Sequence, residues 1–247
     1  MDREEYKNMV PIPHISDIHA MFFDMDDTLV KYREAVRAGF KSMKKIVPEL
    51  DNVTVEELEE NFRKLFNYEE IFKTGISYAD DAKMRIIKVI GEYGSYNKDN
   101  IVQFTTAFWQ AFWEERRLID GAGDVLKLCN RMKIPVAIIS NGNLQMQFRT
   151  MARLKLYRYV DIMLAPRNAE EMKPNNLLFE RAMNTLNVAP EDVIMIGNSI
   201  SSDMKGAINS GIAPVWFNNS GRDKPDDIDI TEIVSFHELI KIWEPMD

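Results

Sequence analysis

The sequence has too few cysteines and histidines for several common kinds of site. It contains one cysteine, Cys129, and three histidines, His14, His19 and His237. A single cysteine forms neither an internal disulfide framework nor a cysteine-ligated zinc site. The histidine spacing matches neither HExxH nor any comparable metal motif. A disulfide framework, a cysteine-ligated zinc site and a histidine metal motif are therefore excluded.

Long hydrophobic runs are also lacking. No uninterrupted apolar stretch approaches the ~20 residues that a membrane-spanning helix requires. The first residues, MDREEYK, are charged and contain none of the apolar core of a signal peptide. We therefore expect no membrane partner and a cytoplasmic location.

Acidic residues outnumber basic residues in this chain. The chain has 31 Lys and Arg residues against 39 Asp and Glu residues, which gives a net charge of −8 and a pI near 5.1. An acidic surface repels phosphate backbones at long range, so we expect no nucleic-acid polymer as partner. A local positive pocket for a single phosphate group is compatible with this charge.

What the chain does contain is a series of short apolar runs with helical segments between them. Alternating strands and helices of this kind predict an α/β fold with a doubly wound, mostly parallel sheet. Ligands of such sheets bind at the carboxyl ends of the strands. The predicted buried strands cover residues 20–23, 135–139, 160–164, 193–196 and 213–217.

One long segment interrupts the alternation. Residues 32–116 have no strand-like runs, and Thr54 with Glu57 matches the capping box that begins a helix. We predict an all-helical inserted domain over 32–116, which interrupts a discontinuous core domain of 1–31 and 117–247. An aromatic stripe at helical spacing is expected to form the insert's own core rather than a base-stacking surface; its members are Phe104, Phe108, Trp109, Phe112 and Trp113.

Carboxylates follow the first predicted strand, in the pattern Asp24-x-Asp26-x-Thr28. Acidic residues directly after a buried apolar run are costly unless they have a function. One carboxylate is suited to act as nucleophile and metal ligand, and the other as proton donor. A pair of solvated turn aspartates is the alternative.

Three further polar clusters follow later in the chain. Ser140-Asn141-Gly142 offers a hydroxyl and backbone N–H groups for phosphoryl oxygens, although this tripeptide is also a common turn. Lys173-Pro174 predicts a helix beginning just after a lysine that either offsets negative charge or lies at the surface. Asn198 and Asp203 follow the strand at 193–196 and carry the oxygen ligands that Mg²⁺ prefers, or belong to a turn and a helix.

In this order, the four clusters resemble the motifs of the haloacid dehalogenase-like hydrolase superfamily, over about residues 20–240. The insert resembles the helical C1 cap of subfamily I. The C-terminal part, at 211–218 and 234–239, is similar to the branch of pyrimidine 5'-nucleotidases and N-acylneuraminate-9-phosphatases. The resemblance implies a Mg²⁺-dependent phosphatase that acts on a small phosphate ester, a nucleoside monophosphate or a sugar phosphate.

The resemblance also implies a role for each matched residue. Asp24 would form an aspartyl-phosphate, and Asp26 would protonate the leaving oxygen and later deprotonate water. Lys173 would offset negative charge and bind phosphate. The other phosphate-binding residues would be Thr28, Ser140, Asn141 and Gly142, and the Mg²⁺ ligands would be Asp24, Asp26, Asn198 and Asp203.

Asn198 is a departure, because the family usually has aspartate there. We expect weaker Mg²⁺ affinity, and a catalytically weakened, phosphate-binding relative stays open as an alternative. A 2-haloacid dehalogenase is a second alternative, which would need Asp24 but neither Asp26 nor a metal. The sequence leaves both monomer and dimer open.

Overall fold

The computed structural model describes residues 12–65, 78–93 and 100–243. They form two compact units. We call the described residues of Met1–Val30 and Leu118–Asp247 the sheet unit, and those of Lys31–Arg117 the helical unit.

A six-stranded, fully parallel sheet organises the sheet unit, in the order β3-β2-β1-β4-β5-β6. Its central strand, β1, pairs with β2 on one side and with β4 on the other. The predicted parallel sheet is therefore confirmed, with one additional short strand. The strands are β1 Ala20–Phe23, β2 Val136–Ile139, β3 Ile162–Leu164, β4 Val193–Gly197, β5 Ala213–Phe217 and β6 Thr231–Ile233.

Helices cover both faces of this sheet. Alternate residues of β1 point to opposite faces, so Met21 and Phe23 belong to one apolar cluster and Ala20 and Phe22 to another. Burial on both sides explains why the strands consist of continuous apolar runs. The helices are α5 Ala122–Met132, α6 Leu144–Leu154, α7 Leu177–Leu186, α8 Lys205–Asn209 and α9 Phe236–Trp243, with a π-helical turn at Ile200–Met204.

The predicted start of one helix is wrong. The proline of Lys173-Pro174 was expected to lie in the first turn of a helix, but α7 begins at Leu177, after Asn176. Residues 172–175 form a turn instead, in which the Asn175 N–H donates to the Met172 carbonyl at 2.9 Å. Lys173 is therefore supplied by a loop.

The helical unit consists of α1 Arg33–Lys44, α2 Val55–Lys64, α3 Tyr78–Tyr93 and α4 Ile101–Glu115. The capping box at Thr54 and Glu57 is present at the start of α2. At its centre Phe40 packs edge to face against both Phe62 and Phe108, with ring centroids 5.1 Å apart for Phe40 and Phe108. Of the aromatic stripe, Phe104, Phe108, Phe112 and Trp113 are buried here.

Within the described ranges, no helix combines the length and the apolar character needed to span a bilayer.

Candidate active site

The polar clusters meet at the carboxyl ends of the three central strands. Asp24 directly follows β1, Ser140 follows β2, and Asn198 follows β4. Because these strands are parallel neighbours, their carboxyl ends lie at one edge of the sheet. The register confirms the alignment, since Phe23 pairs with both Ile138 and Ile196.

A tight turn after β1 separates the two carboxylates. The Met25 carbonyl accepts the N–H groups of Leu29 and Val30, at 3.0 and 2.9 Å, and Asp27 has a left-handed backbone with φ of 60°. Aspartate is among the few non-glycine residues that adopt this conformation at modest cost. The turn gives Asp24 and Asp26 different surroundings: Asp24 is buried and Asp26 is half-buried.

Lys173 lies at the centre of the buried part. Its Nζ is 2.8 Å from Asp24 Oδ1 and 2.7 Å from Asp203 Oδ1, and it also donates to the Ile139 carbonyl. All three charged side chains are at most one-tenth exposed. Two buried carboxylates therefore share one ammonium group, which leaves a net charge of −1 when both carboxylates are ionised.

This arrangement shifts the ionisation of both partners. Burial raises the pKa of Asp24 to about 7 even though Lys173 lowers it, because Asp203 and Asp26 add further negative charge. Burial alone would lower the pKa of Lys173, but the charges and hydrogen bonds of Asp203 and Asp24 raise it above its ordinary value. Lys173 is therefore held as a cation.

Asn141 holds Lys173 by its backbone. The Asn141 side chain donates from Nδ2 to the Lys173 carbonyl at 2.9 Å and accepts the Lys173 N–H at Oδ1 at 2.8 Å. The Asn141 side chain therefore clamps the Lys173 backbone, whereas the prediction of phosphate binding concerns the Asn141 backbone N–H.

The loop before Lys173 has its own anchor. Glu171, 4% exposed, accepts from the backbone and the guanidinium of Arg167 at 2.6–2.9 Å and from Arg181 at 3.1 Å. The hydrogen bond from Arg167 lowers the pKa of Glu171 to about 2. The anchor fixes the loop that carries Lys173.

Thr28 connects the loops after β1 and β4. Its hydroxyl is fully buried, donates to Asp24 Oδ2 at 3.1 Å and accepts the Asn198 N–H at 3.1 Å. Asn198 Oδ1 is 3.4 Å from the same hydroxyl oxygen. Thr28, predicted as a phosphate ligand, thus orients Asp24 and Asn198.

Asp203 occupies a position that only a glycine neighbour permits. A Cβ at Gly197 would lie 2.5 Å from both Cβ and Oδ2 of Asp203. Oδ2 of Asp203 accepts the Ser199 N–H at 2.9 Å, and its other oxygen contacts Lys173. The structure therefore brings Asp203 into the site principally as a partner of Lys173.

Four hydrogen bonds of the site have no counterpart in the sequence prediction. Gln147, in the first turn of α6, donates to Asp26 and Ser140. The Asn198 carbonyl accepts from the Trp216 indole at 3.0 Å and from Arg222. The helical spacing of Gln147 and Met151 could have indicated this role, because it places a polar residue on the buried face of α6.

The donor set fits a small hard cation. Asp24 supplies a carboxylate, and Asn198 and the Asp26 backbone supply amide-type oxygens. Mg²⁺ is typically held by one or two carboxylates, with waters and substrate phosphate completing its shell. With Asp24 ionised, the net charge of −1 on Asp24, Asp203 and Lys173 favours a cation here. No group of three or more His, Cys, Asp or Glu side chains suited to a metal occurs among the residues described.

Comparison with known proteins gives a consistent result. The family model described as haloacid dehalogenase-like hydrolase matches residues 18–211. The chain is 26% identical to ribulose-1,5-bisphosphate 5-phosphatase of Halopiger xanaduensis, with 86% of this chain and 88% of the relative covered. It is 24% identical to N-acylneuraminate-9-phosphatase of Mus musculus (84% and 86% covered). It is 33% identical to pyrimidine 5'-nucleotidase YjjG of Escherichia coli (54% and 60% covered).

A solved structure shares the fold. The HAD-hydrolase YfnB of Bacillus subtilis, solved with magnesium bound, superposes with a TM-score of 0.69 at 19% identity, covering 91% of this chain and 98% of YfnB.

Proposed function

The chain belongs to the haloacid dehalogenase-like hydrolase family, and from this premise we propose that it is a Mg²⁺-dependent phosphatase of a small phosphorylated metabolite. The observation that carries the proposal is the pair of carboxylates with different surroundings, Asp24 held by Lys173 and Asp26 held by Gln147. Phosphate ester cleavage requires a nucleophile and a separate proton donor, and this pair supplies both. The relatives named for sugar and nucleotide substrates support a sugar phosphate or a nucleoside monophosphate.

The first step transfers the phosphoryl group to Asp24. A carboxylate oxygen of Asp24 forms a bond to phosphorus while the bond from phosphorus to the ester oxygen breaks. Asp26 gives its proton to the departing oxygen, which leaves as an alcohol. Asp26, now ionised, then takes a proton from water; the water oxygen attacks phosphorus and releases Asp24 and inorganic phosphate. Positioning and charge stabilisation dominate such chemistry.

The remaining residues hold the transferring group. We expect the Ser140 hydroxyl and the backbone N–H of Asn141 to donate to its oxygens. The Gly142 N–H, predicted as a phosphate donor, instead donates to Ser140 Oγ at 3.0 Å. Lys173 stabilises the negative charge on Asp24 and on the phosphoryl oxygens.

Mg²⁺ would be held by Asp24, the Asp26 carbonyl and Asn198, with Asp203 nearby. The cation would supply positive charge that stabilises the phosphoryl oxygens.

Asp26 distinguishes this proposal from a dehalogenase. Release of a halide requires no proton donor, so a dehalogenase would leave Asp26 without a role. In this structure Asp26 instead accepts a 2.7 Å hydrogen bond from a buried amide. The arrangement favours ester cleavage.

The test is hydrolysis of p-nitrophenyl phosphate with Mg²⁺ titrated against EDTA. We expect turnover with Mg²⁺ and none with EDTA. Release of chloride from 2-chloropropionate in the presence of EDTA would instead establish a dehalogenase. Tight binding of phosphate esters without any turnover would support a binding protein.

The Asn198→Asp variant is expected to require less Mg²⁺. The added carboxylate charge strengthens cation binding, and a gain of ~1.4 kcal/mol corresponds to about a tenfold lower half-saturating concentration. Mg²⁺ binding by calorimetry and the Mg²⁺ dependence of turnover measure it. Asn130→Asp, which makes the same charge change at an exposed position of α5, is the control. An unchanged requirement would mean that Asn198 does not ligate the cation.

A further inference from the structure

We propose that Gln147 is a positioning residue that aims the proton-carrying atoms of Asp26 and Ser140 at the substrate, an inference that rests on the proposed phosphatase function. Gln147 is 1% exposed. Its amide nitrogen Nε2 lies 2.7 Å from Asp26 Oδ2 and 3.0 Å from Ser140 Oγ. One amide group therefore joins the proton donor to a phosphate ligand.

The direction of these hydrogen bonds follows from the donor and acceptor inventory. An amide NH₂ group has two N–H donors and no acceptor, whereas an ionised carboxylate only accepts. Nε2 therefore gives one N–H to each oxygen. The opposite orientation of the amide would place its oxygen against a carboxylate oxygen at 2.7 Å, which is unfavourable.

The consequence for Ser140 concerns its single hydrogen. Ser140 Oγ accepts from Gln147 Nε2 at 3.0 Å and from the Gly142 N–H at 3.0 Å. A hydroxyl oxygen accepts two hydrogen bonds and donates one. With both acceptor positions filled, the hydroxyl hydrogen is directed away from Gln147 and serves as a donor to a phosphoryl oxygen.

The consequence for Asp26 concerns which oxygen carries its proton. Oδ2 accepts from Gln147, so a proton on Oδ2 would compete with that contact for space and lone pairs. The proton that Asp26 gives to the leaving oxygen is therefore held at Oδ1. Gln147 fixes the carboxyl group without itself touching the substrate.

The glycine at position 142 is a second observation that supports the placement of the Gln147 amide. A Cβ at position 142 would lie 2.2 Å from Gln147 Nε2, 3.1 Å from Asp26 Oδ2 and 3.1 Å from Ser140 Oγ. Only glycine leaves room for the amide between the two oxygens. Glycine at position 142 is therefore needed for the Gln147 amide to reach both Asp26 and Ser140.

Helix α6 makes the placement rigid. Asn143 caps the helix through its side chain at 3.0 Å from the Met146 N–H, and Gln147 is in the first turn after it. A buried amide is costly unless it is hydrogen-bonded. The contacts with Asp26 and Ser140 meet that requirement.

The leaving group decides how much the positioning of Asp26 contributes. p-Nitrophenolate leaves as a stable anion and needs little protonation, whereas phenolate is a stronger base and depends more on the proton from Asp26. The two aryl phosphates have similar shapes. Their kcat/KM values report the steps up to phosphoryl transfer to Asp24.

The experiment compares Gln147→Met with the wild type on p-nitrophenyl phosphate and phenyl phosphate. General acid catalysis contributes about 10²–10⁴-fold, so we expect kcat/KM to fall about 100-fold for phenyl phosphate and about tenfold for the nitro compound. Gln145→Met, the same substitution at an exposed position of α6, should leave both values unchanged. Equal losses for the two substrates would reduce Gln147 to a structural role and overturn the inference. A wild type that hydrolyses neither ester would instead overturn the proposed function.

Two further variants distinguish an effect on positioning from a loss of folded protein. Gln147→Glu keeps the shape of the side chain but its carboxylate offers no N–H, so it should show the same selective loss. In an Asp26→Asn background, Gln147→Met should no longer change the ratio of the two kcat/KM values, because the proton donor is already absent. A ratio that still changes there would contradict action through Asp26.

Discussion

Asp24→Asn is expected to lower turnover by at least about 10⁴-fold, because an amide oxygen is a poor nucleophile where the carboxylate would form the bond to phosphorus. The substitution keeps the shape of the side chain and its distance from Lys173. Hydrolysis of p-nitrophenyl phosphate with saturating Mg²⁺ measures the loss. Asp227→Asn makes the same change at an exposed position and should retain full activity. Substantial turnover in Asp24→Asn would remove Asp24 from the mechanism.

The same variant is expected to be more stable at alkaline pH. The folded pKa of Asp24, about 7, lies above its ordinary value of 3.8, so the folded state binds the proton more tightly than the unfolded state. The stabilisation from this group is present below pH 3.8 and is lost as the pH rises through about 7. Above that range the wild type carries the cost of a buried charge, and the amide does not.

Urea unfolding without Mg²⁺ tests the sign of this effect. We expect Asp24→Asn to exceed the wild type by about 2 kcal/mol at pH 8, with a smaller difference at pH 5. The gain stays below the full value of the pKa shift because the substitution also weakens an acceptor of Lys173. A variant less stable than the wild type at pH 8 would show that Asp24 is net stabilised by Lys173. The Asp24 carboxylate would then favour both turnover and the stability of the fold.

Lys173→Met is expected to cost both stability and activity. The ammonium group offsets Asp24 and Asp203 at 2.8 and 2.7 Å, with its side chain 1% exposed. Removing one partner of a buried ion pair leaves uncompensated charge and typically costs about 3–5 kcal/mol. Turnover should fall at least about 10³-fold, because the positive charge proposed to stabilise the phosphoryl oxygens is lost as well.

The control for this variant is Lys205→Met, at an exposed position of α8. It removes the same charge from the surface and should change the unfolding free energy by less than ~0.5 kcal/mol. Urea unfolding at pH 7 measures both variants. If Lys173→Met lowers the free energy of unfolding by less than ~1 kcal/mol, Lys173 does not compensate the buried charges of Asp24 and Asp203.

Local patterns were sufficient for much of the fold. Four residues of continuous apolar character at 20–23 predict β1, and the capping box at Thr54 predicts the start of α2. Strand β6, Thr231–Ile233, was not predicted, because three residues with one charged member carry no periodic signal. It becomes a strand by pairing with β5.

The start of α7 shows the limit of a local rule. Proline is favoured in the first turn of a helix, and on that basis the helix was expected just after Lys173. The Asn141 side chain instead binds the backbone of Lys173 across 32 positions of sequence. That distant partner favours a turn at 172–175.

The sequence by itself determined five of the six strands, their alternation with helices and the residue types of the four polar clusters, since these follow from local composition and periodicity. Only the tertiary structure decided their partners: Lys173 with Asp24 and Asp203, Asn141 with the Lys173 backbone, and Gln147 with Asp26. Gln147 and Asp26 are 121 positions apart, a separation that no helical or strand period relates. The physical reason is that parallel strands bring their carboxyl ends together whatever their distance along the chain. A buried amide or ammonium group then requires the partners that this edge of the sheet provides.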